Sequence, residues 1–334
     1  TVILRLEYDK NSLQVRSWDA LNNMTQFIYD RNGRLITTID PENHITNQTY
    51  DDVGNIQSKS DGRGITTVYG YDEYNRLISV TNAKGETTSY TYDLNGNMLS
   101  QTDAKLQTTF YEYNAANKLV TRMDPGGRLG TPGSYTYILA KTEAYTYYAD
   151  SSIKTKKDRN GRTTEYTYDI HGRLTEKRID EDVITYTYDS NGNQLTMTDS
   201  TGATERTYDE QGRVLTKTVP YIGTITYQYD ILEAEGCYSE ISTDPKNNTT
   251  KKIYDKAGRL AEVTEGGSTT TYRYYGDGSR KNVTYPDGSR EDYTYYKDGT
   301  LKTLENKNSS GAVIDSYSYT YDGARNQTTK TDSK

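Results

Sequence analysis

Three features of this chain predict an all-β repeat fold. A Tyr-Asp pair returns about every twenty-one residues, each period carries two Asp-x-x-Gly turns, and aliphatic residues are too few for a thick core. Hydrophobic residues make up 32% of the 334, and the aromatic component is tyrosine: 35 Tyr against two Phe and one Trp. Tyrosine brings a hydroxyl that has to reach water or a partner. The composition therefore favours a thin architecture in which most side chains touch solvent. It does not favour disorder, because disordered segments lack aromatics.

The first element of each unit is the strand that carries the anchor tyrosine. Anchors stand at Tyr8, Tyr29, Tyr50, Tyr71, Tyr92 and Tyr113, then at Tyr147, Tyr168, Tyr188, Tyr208, Tyr229, Tyr254, Tyr274, Tyr295 and Tyr321. That is fifteen units. Another aromatic often stands two residues earlier (Phe27, Tyr90, Tyr166, Tyr186). Alternation with period two in Tyr- and Thr-rich segments predicts strands, with both aromatics on one face. Neighbouring tyrosines are expected to stack into a ladder across units, each cross-strand pair contributing about 0.2–1 kcal/mol.

The second element is a turn: Asp directly after the anchor, and Gly four residues after the anchor, the i and i+3 preferences of a type I turn. Asn75 and Asn117 take the Gly position in two units. Arg or Asn follows, then usually an aliphatic residue that opens the return strand, as in Arg34-Leu35 and Arg173-Leu174. A second turn begins at Asp40, Asp61, Asp103, Asp158 or Asp199, and a Thr pair such as Thr163-Thr164 commonly leads back to the next anchor. The residues assigned as structural signature are Tyr29, Asp30, Gly33, Tyr71, Asp72, Tyr92, Asp93, Gly96, Tyr168, Asp169, Gly172, Tyr188, Asp189, Gly192, Tyr208, Asp209, Gly212, Tyr254, Asp255 and Gly258.

No helical period or linker interrupts the pattern, so residues 1–334 are expected to form one repeat domain of about thirty strands. Three stretches depart from the period: "DPGGRLGTPGSY" (124–135) reads as a loop insertion, "ILEAEGCYSE" (231–240) replaces a turn, and "ENKNSSGAVIDS" (305–316) lengthens a unit. A β-propeller is the rival architecture, since two units supply the four strands of a blade. It needs apolar sheet faces packed on each other, which this composition does not supply.

Composition also excludes functions. A net charge of −7 without a Lys/Arg cluster argues against nucleic acid, and no apolar run approaches a membrane span. His44 and His171 are the two histidines and Cys237 the single cysteine, too few for a zinc site of ordinary spacing or a disulfide framework. His171 sits three residues after an anchor, where other units carry Asn, Val, Tyr, Gln or Ala, and reads as a turn residue. "DRNG" (158–161) and "GDGS" (276–279) lack calcium-loop spacing and read as turns. No P-loop, nucleophile elbow or zincin motif occurs. The chain is expected to be non-catalytic, with no cofactor and no metal.

At "YDRNGRLITTIDPENHIT" (29–46) and "YDEYNRLISVTNAKGETT" (71–88) the chain closely resembles the YD/RHS repeat, and the phased copies cover nearly its whole length. The resemblance implies a spiral antiparallel sheet strip building part of a hollow shell. Such shells occur in bacterial RHS polymorphic toxins, Tc-toxin cocoons, Gram-positive wall-associated proteins and teneurins. It further implies a secreted or cell-surface, non-catalytic role: enclosing or presenting a C-terminal toxin or effector of the same parent chain, with this chain as a fragment. The family's closing Asp-Pro-x-Gly-Leu motif is absent, "DPGGRLG" (124–130) being a mid-chain lookalike, so autoproteolysis does not carry over. The alternative expectation is a carbohydrate- or cell-wall-binding adhesion module, with tyrosine rings stacking on sugar.

Overall fold

A computed structural model describes residues 4–126, 128–131, 134–137, 141–233 and 236–333, with residues 128–131 and 134–137 described by backbone only. It contains thirty-two strands, from Arg5–Tyr8 (β1) to Gln327–Asp332 (β32), and among the described residues no α-helix. Thirty of them form one antiparallel sheet. The described registers join strands adjacent in sequence, as in Met24–Tyr29 with Leu35–Ile39 and Thr163–Tyr168 with Leu174–Ile179. The sheet is thus a ladder of hairpins in sequence order, not a set of separate blades.

One step skips. Leu119–Met123 (β12) pairs with Thr142–Tyr147 (β15), and between them Arg128–Thr131 (β13) and Ser134–Tyr137 (β14) form a hairpin of their own. Within the stretch read as a loop insertion, the described residues thus form a separate two-stranded sheet, while residues 127, 132 and 133 lie outside those described. The other two departures lengthen strands. Gly223–Leu232 runs ten residues, and Leu301–Lys307 with Val313–Tyr321 form an extended hairpin around a turn at Asn308–Gly311.

Nearly every anchor sits at a β-bulge. Ile28 opposes Thr37 but Tyr29 opposes Leu35, so Ile36 is the extra residue. The same shift recurs at Tyr50, Tyr113, Tyr147, Tyr168, Tyr188, Tyr208 and Tyr274. A bulge bends its strand and increases the local right-handed twist.

The two faces differ. In Thr163–Tyr168, Thr164, Tyr166 and Tyr168 are half-buried while Thr163, Glu165 and Thr167 are exposed. The face without tyrosines carries a row of hydroxyl pairs at 2.6–2.7 Å: Thr49–Ser58, Thr91–Ser100, Thr146–Thr155, Thr187–Thr196, Thr207–Thr216, Thr294–Thr303 and Thr320–Thr329. A packed interior is almost absent. Val283, 3% exposed, is the one buried apolar residue among those described, and Ser100, Thr204 and Ser239 are the buried polar ones. Backbone ladders and side-chain hydrogen bonds have to replace the missing core.

The chain forms two compact units, residues 1–68 with 227–334, and residues 69–226.

Candidate functional site

The chemistry of this chain resides in its turns. Around Asp30, the backbone N–H of Asp30 donates to the Arg34 carbonyl and that of Gly33 to the Asp30 carbonyl, closing a tight hairpin. Gly33 has φ +78°, a conformation that side chains disfavour, and Asn75 fills the same position with φ +61°. The Asp30 carboxylate takes the backbone N–H groups of Asn32 and Arg34, each at 2.9 Å. These bonds, the one from Arg34 first, hold its carboxyl below the ordinary aspartate range against the opposing effect of burial.

Most other signature turns repeat this arrangement. Asp72, Asp93, Asp169, Asp189, Asp209 and Asp255 each accept backbone N–H groups two and four residues on. Gly96, Gly172, Gly192, Gly212 and Gly258 close their turns onto the Asp carbonyl. His171 does only this: it is exposed and its backbone N–H donates to Asp169 Oδ1. Asp158 and Asp277, in the two stretches weighed as calcium loops, likewise accept turn N–H groups.

The Arg-or-Asn position has a common task. Arg34, Arg76, Arg173, Arg213 and Arg259 donate Nε to the carboxylate of their own turn at 2.7–2.8 Å, and Asn55, Asn97 and Asn193 donate Nδ2 to it at 2.8–2.9 Å. The arginines reach further. Arg34, Arg76 and Arg173 also donate Nη1 to the backbone carbonyls of Asp51, Asp93 and Asp189 in the next unit. The same guanidinium groups lie over the next anchor rings, Tyr50, Tyr92 and Tyr188, at 4.6–4.9 Å. In return, several anchor hydroxyls donate to the carbonyl that opens the preceding return strand: Tyr29 to Gln14, Tyr50 to Leu35, Tyr92 to Leu77, Tyr188 to Leu174, Tyr208 to Gln194 and Tyr274 to Leu260, all at 2.7–2.8 Å.

This corrects the expected tyrosine ladder. Successive anchors lie two strands apart, about 9.6 Å, with a return strand between them, so their rings do not meet. Stacked pairs occur within a strand (Tyr227–Tyr229) or directly across a register (Tyr238–Tyr254). Arginine and the hydroxyl carry the link between units. Where tyrosine replaces the turn aspartate, at Tyr148, Tyr275 and Tyr296, its ring meets the next anchor edge-on and its hydroxyl donates to a backbone carbonyl.

Within the unit formed by residues 1–68 and 227–334, sequence-distant turns meet. A Cβ on Gly62 would overlap the Gly323 carbonyl, and one on Gly323 would overlap that of Gly62. Arg63 Nη1 lies 3.2 Å from Asp322 Oδ2, and the Lys297 N–H donates to Glu42 Oε1 at 2.8 Å. A Cβ on Gly276 would stand 3.8 Å from the Ala20 oxygen. The closing turns of the first three units thus face the opening turns of the last three.

At this contact Asp40, His44 and Asp298 place one possible ligand atom each within 4.8 Å of one another. Sequence reading separated His44 from Asp298, and only the meeting of turns joins them. Two carboxylates and an imidazole suit a divalent ion in chemistry. The Arg325 guanidinium, however, already lies 3.7 Å from Asp40 Oδ2 and 3.5 Å from Asp298 Oδ2. His44 Nδ1 is 3.0 Å from Asp40 Oδ2. Burial works to raise the Asp40 carboxyl; the His44 and Glu42 backbone N–H groups and the His44 ring outweigh it and hold Asp40 low. Cys237 is a half-buried free thiol.

Geometry alone therefore defines a class: an all-β chain of tandem hairpins whose recurring side-chain chemistry fastens turn to turn. The chain belongs to the YD/RHS-repeat family. The RHS Repeat family model matches residues 8–45, 50–87 and 73–108, and the Teneurin YD-shell model matches residues 145–232. No curated protein matches the chain. Among solved structures, TcdB2-TccC3 superposes with a TM-score of 0.78 at 15% identity, over 98% of this chain and 20% of that one. TcdB2-TccC3 without its hypervariable C-terminal region gives 0.62 at 15% identity over 99% and 18%. A Tc holotoxin pore of Photorhabdus luminescens carrying a mutated TccC3 gives 0.60 at 15% over 96% and 19%. This chain spans about a fifth of the length of those it matches.

Proposed function

We propose that this chain is a non-catalytic segment of an extracellular YD-repeat shell that encloses or presents a C-terminal effector of a longer parent chain. The observation that carries the reading is the thirty-strand ladder, in which arginines tie several turns to the next, and which superposes over 98% of this chain on part of TcdB2-TccC3. A strip with almost no interior of its own and a side-chain link at many unit boundaries suits a wall better than a catalytic pocket. A depression of about 740 Å³ beside Glu7, Asp9, Leu13, Arg16, Phe27 and Arg31 holds no nucleophile–base pair. Several anchor rings that would have to stack on sugar are covered by arginine, which weighs against the adhesion reading.

The test is protease protection of the parent protein. The reading expects a downstream domain that resists digestion while the shell is folded and is degraded once the shell is opened by urea. A downstream domain digested at the same rate in both conditions refutes enclosure. Retention of the chain on peptidoglycan or a glycan array would move the assignment to adhesion.

A further inference from the structure

Four cations of residues 142–226 share one face of the sheet. Lys156 lies opposite Tyr145 and Thr164, Lys177 opposite Tyr166 and Ile184, and Lys217 opposite Arg206 and Ile225, which places all four cations on the tyrosine face. Among the described residues none of the four has a carboxylate within ion-pair distance; Lys156 lies 5.8 Å from the Tyr145 ring and helps from further off to hold the Asp158 carboxyl low. Three glutamates of these strands sit on the other face, which also carries Lys157 and Arg178: Glu165 opposite Thr155 and Arg178, Glu176 opposite Thr167 and Thr185, Glu205 opposite Thr196 and Thr218. On the tyrosine face, Glu143 is engaged by Arg122, Arg159 and Tyr145, while Asp182 and Asp199 stand at strand ends.

One pair is costly in the free chain. Arg206 and Lys217 are directly opposed like charges, an unfavourable cross-strand arrangement. The Nη1 of Arg206 is shielded from solvent and has no hydrogen-bond partner. In a protein of net charge −7, a row of cations without close ion pairs on one face is a local exception that an incoming carboxylate would relieve.

We propose that the tyrosine face of residues 142–226 is a docking surface for an acidic polypeptide segment, its carboxylates pairing with Lys156, Lys177, Arg206 and Lys217 while its chain crosses the tyrosine rings. Lys156 and Lys177 are two strands apart, about 10 Å, and Lys177 and Lys217 four strands, about 19 Å. An extended chain covers about 10 Å in three residues, so successive acidic residues about three and then about six apart fit the row. Cations this sparse are a poor match for the closely spaced phosphates of a nucleic acid. The surface belongs to this chain irrespective of what a parent shell encloses.

Fluorescence anisotropy of labelled decaglutamate against the 334-residue chain tests the proposal. Saturable binding is expected in about 20 mM salt and its loss in about 500 mM, where screening is short-ranged. The double variant Lys177→Gln, Lys217→Gln is expected to bind at least about tenfold more weakly. The double variant Lys157→Gln, Arg178→Gln removes the same charge from the opposite face and should change affinity less than about twofold. Circular dichroism checks that both are folded. Arg206→Gln should leave the melting temperature unchanged or raise it; a fall would make the guanidinium a stabilising group and remove the argument from strain. Absence of decaglutamate binding, equal losses from both double variants, or tighter binding of an oligothymidylate than of decaglutamate would each overturn the proposal.

Discussion

Gly62→Ala probes the contact between first and last units more directly than any charge change. Gly62 lacks a left-handed φ, so alanine is tolerated by its own backbone. The added Cβ would instead meet the Gly323 carbonyl carbon at 2.7 Å and His44 Cβ at 3.1 Å. The obstacle is backbone, and it yields only if the turns separate. Overpacking of this kind costs about 1–3 kcal/mol. The cost is capped by what separation forfeits: the Lys297–Glu42 hydrogen bond, worth about 1 kcal/mol, and the loose Arg325 contacts at 3.5 and 3.7 Å. The solvent-facing Arg63–Asp322 pair adds little. The expected loss is therefore about 1–2 kcal/mol, confined to this contact. Because long repeat chains need not unfold in one step, the assay is amide hydrogen exchange at Lys297, whose N–H depends on Glu42. Gly64→Ala is the control: φ is +79° and a Cβ there has nothing within 4 Å, so it costs about 1 kcal/mol by backbone strain alone. Faster exchange at Lys297 is expected in Gly62→Ala and not in Gly64→Ala. Unchanged exchange at Lys297 in Gly62→Ala would refute the argument.

Arg173→Ala removes the Asp189 carbonyl bond and the cover over Tyr188, and urea unfolding should show a loss of about 1–2 kcal/mol. Arg173→Lys keeps the charge but not the forked geometry and should recover less than half of that loss. Tyr188→Phe deletes the hydroxyl that donates to the Leu174 carbonyl at 2.8 Å, for about 1 kcal/mol by the same measurement. Tyr145 and Tyr293, chiefly through burial and then through Glu143 and Glu291, and Tyr285, chiefly through its bond to Glu291, have hydroxyl pKa values raised to about 12. A folded value above the unfolded one gives stability that is complete below about pH 10 and is lost as pH rises through about 12. Alkaline unfolding should therefore begin above about pH 10 in spectrophotometric titration. The turn aspartates shift the other way, Asp169 by the Arg173 N–H bond first and Asp158 by that of Arg162. Their contribution is present above about pH 4 and falls away in more acid solution.

Much of the repeat unit was legible because its determinants are close in sequence. Asp30, Gly33 and Arg34 interact within four residues, and such contacts recur wherever the pattern recurs. The function of the arginine was legible only in part. Its bond to its own turn is local, whereas its reach to Asp51 and Tyr50 spans 17 and 16 residues and depends on how two hairpins lie side by side. The Gly-Pro insertion gave no strand alternation, and its hairpin emerged only with the backbone.

Period and turn chemistry were sufficient to assign strands, turns and the order of units. They could not assign the faces. Counting by twos from Tyr168, and carrying that alternation through an unbulged hairpin in which Tyr168 opposes Leu174, would set Lys177 on the face away from the tyrosines. The bulge lets Tyr168 oppose Leu174 while Tyr166 opposes Lys177, and one extra residue reverses the parity of the whole return strand. The contact of Gly62 with Gly323 is a second decision of the tertiary structure, since it joins turns whose separation no local rule encodes. Local hydrogen bonds are repeated by sequence and can be read from it. Parity across a bulge and the meeting of distant turns accumulate from backbone geometry, and only the folded chain contains them.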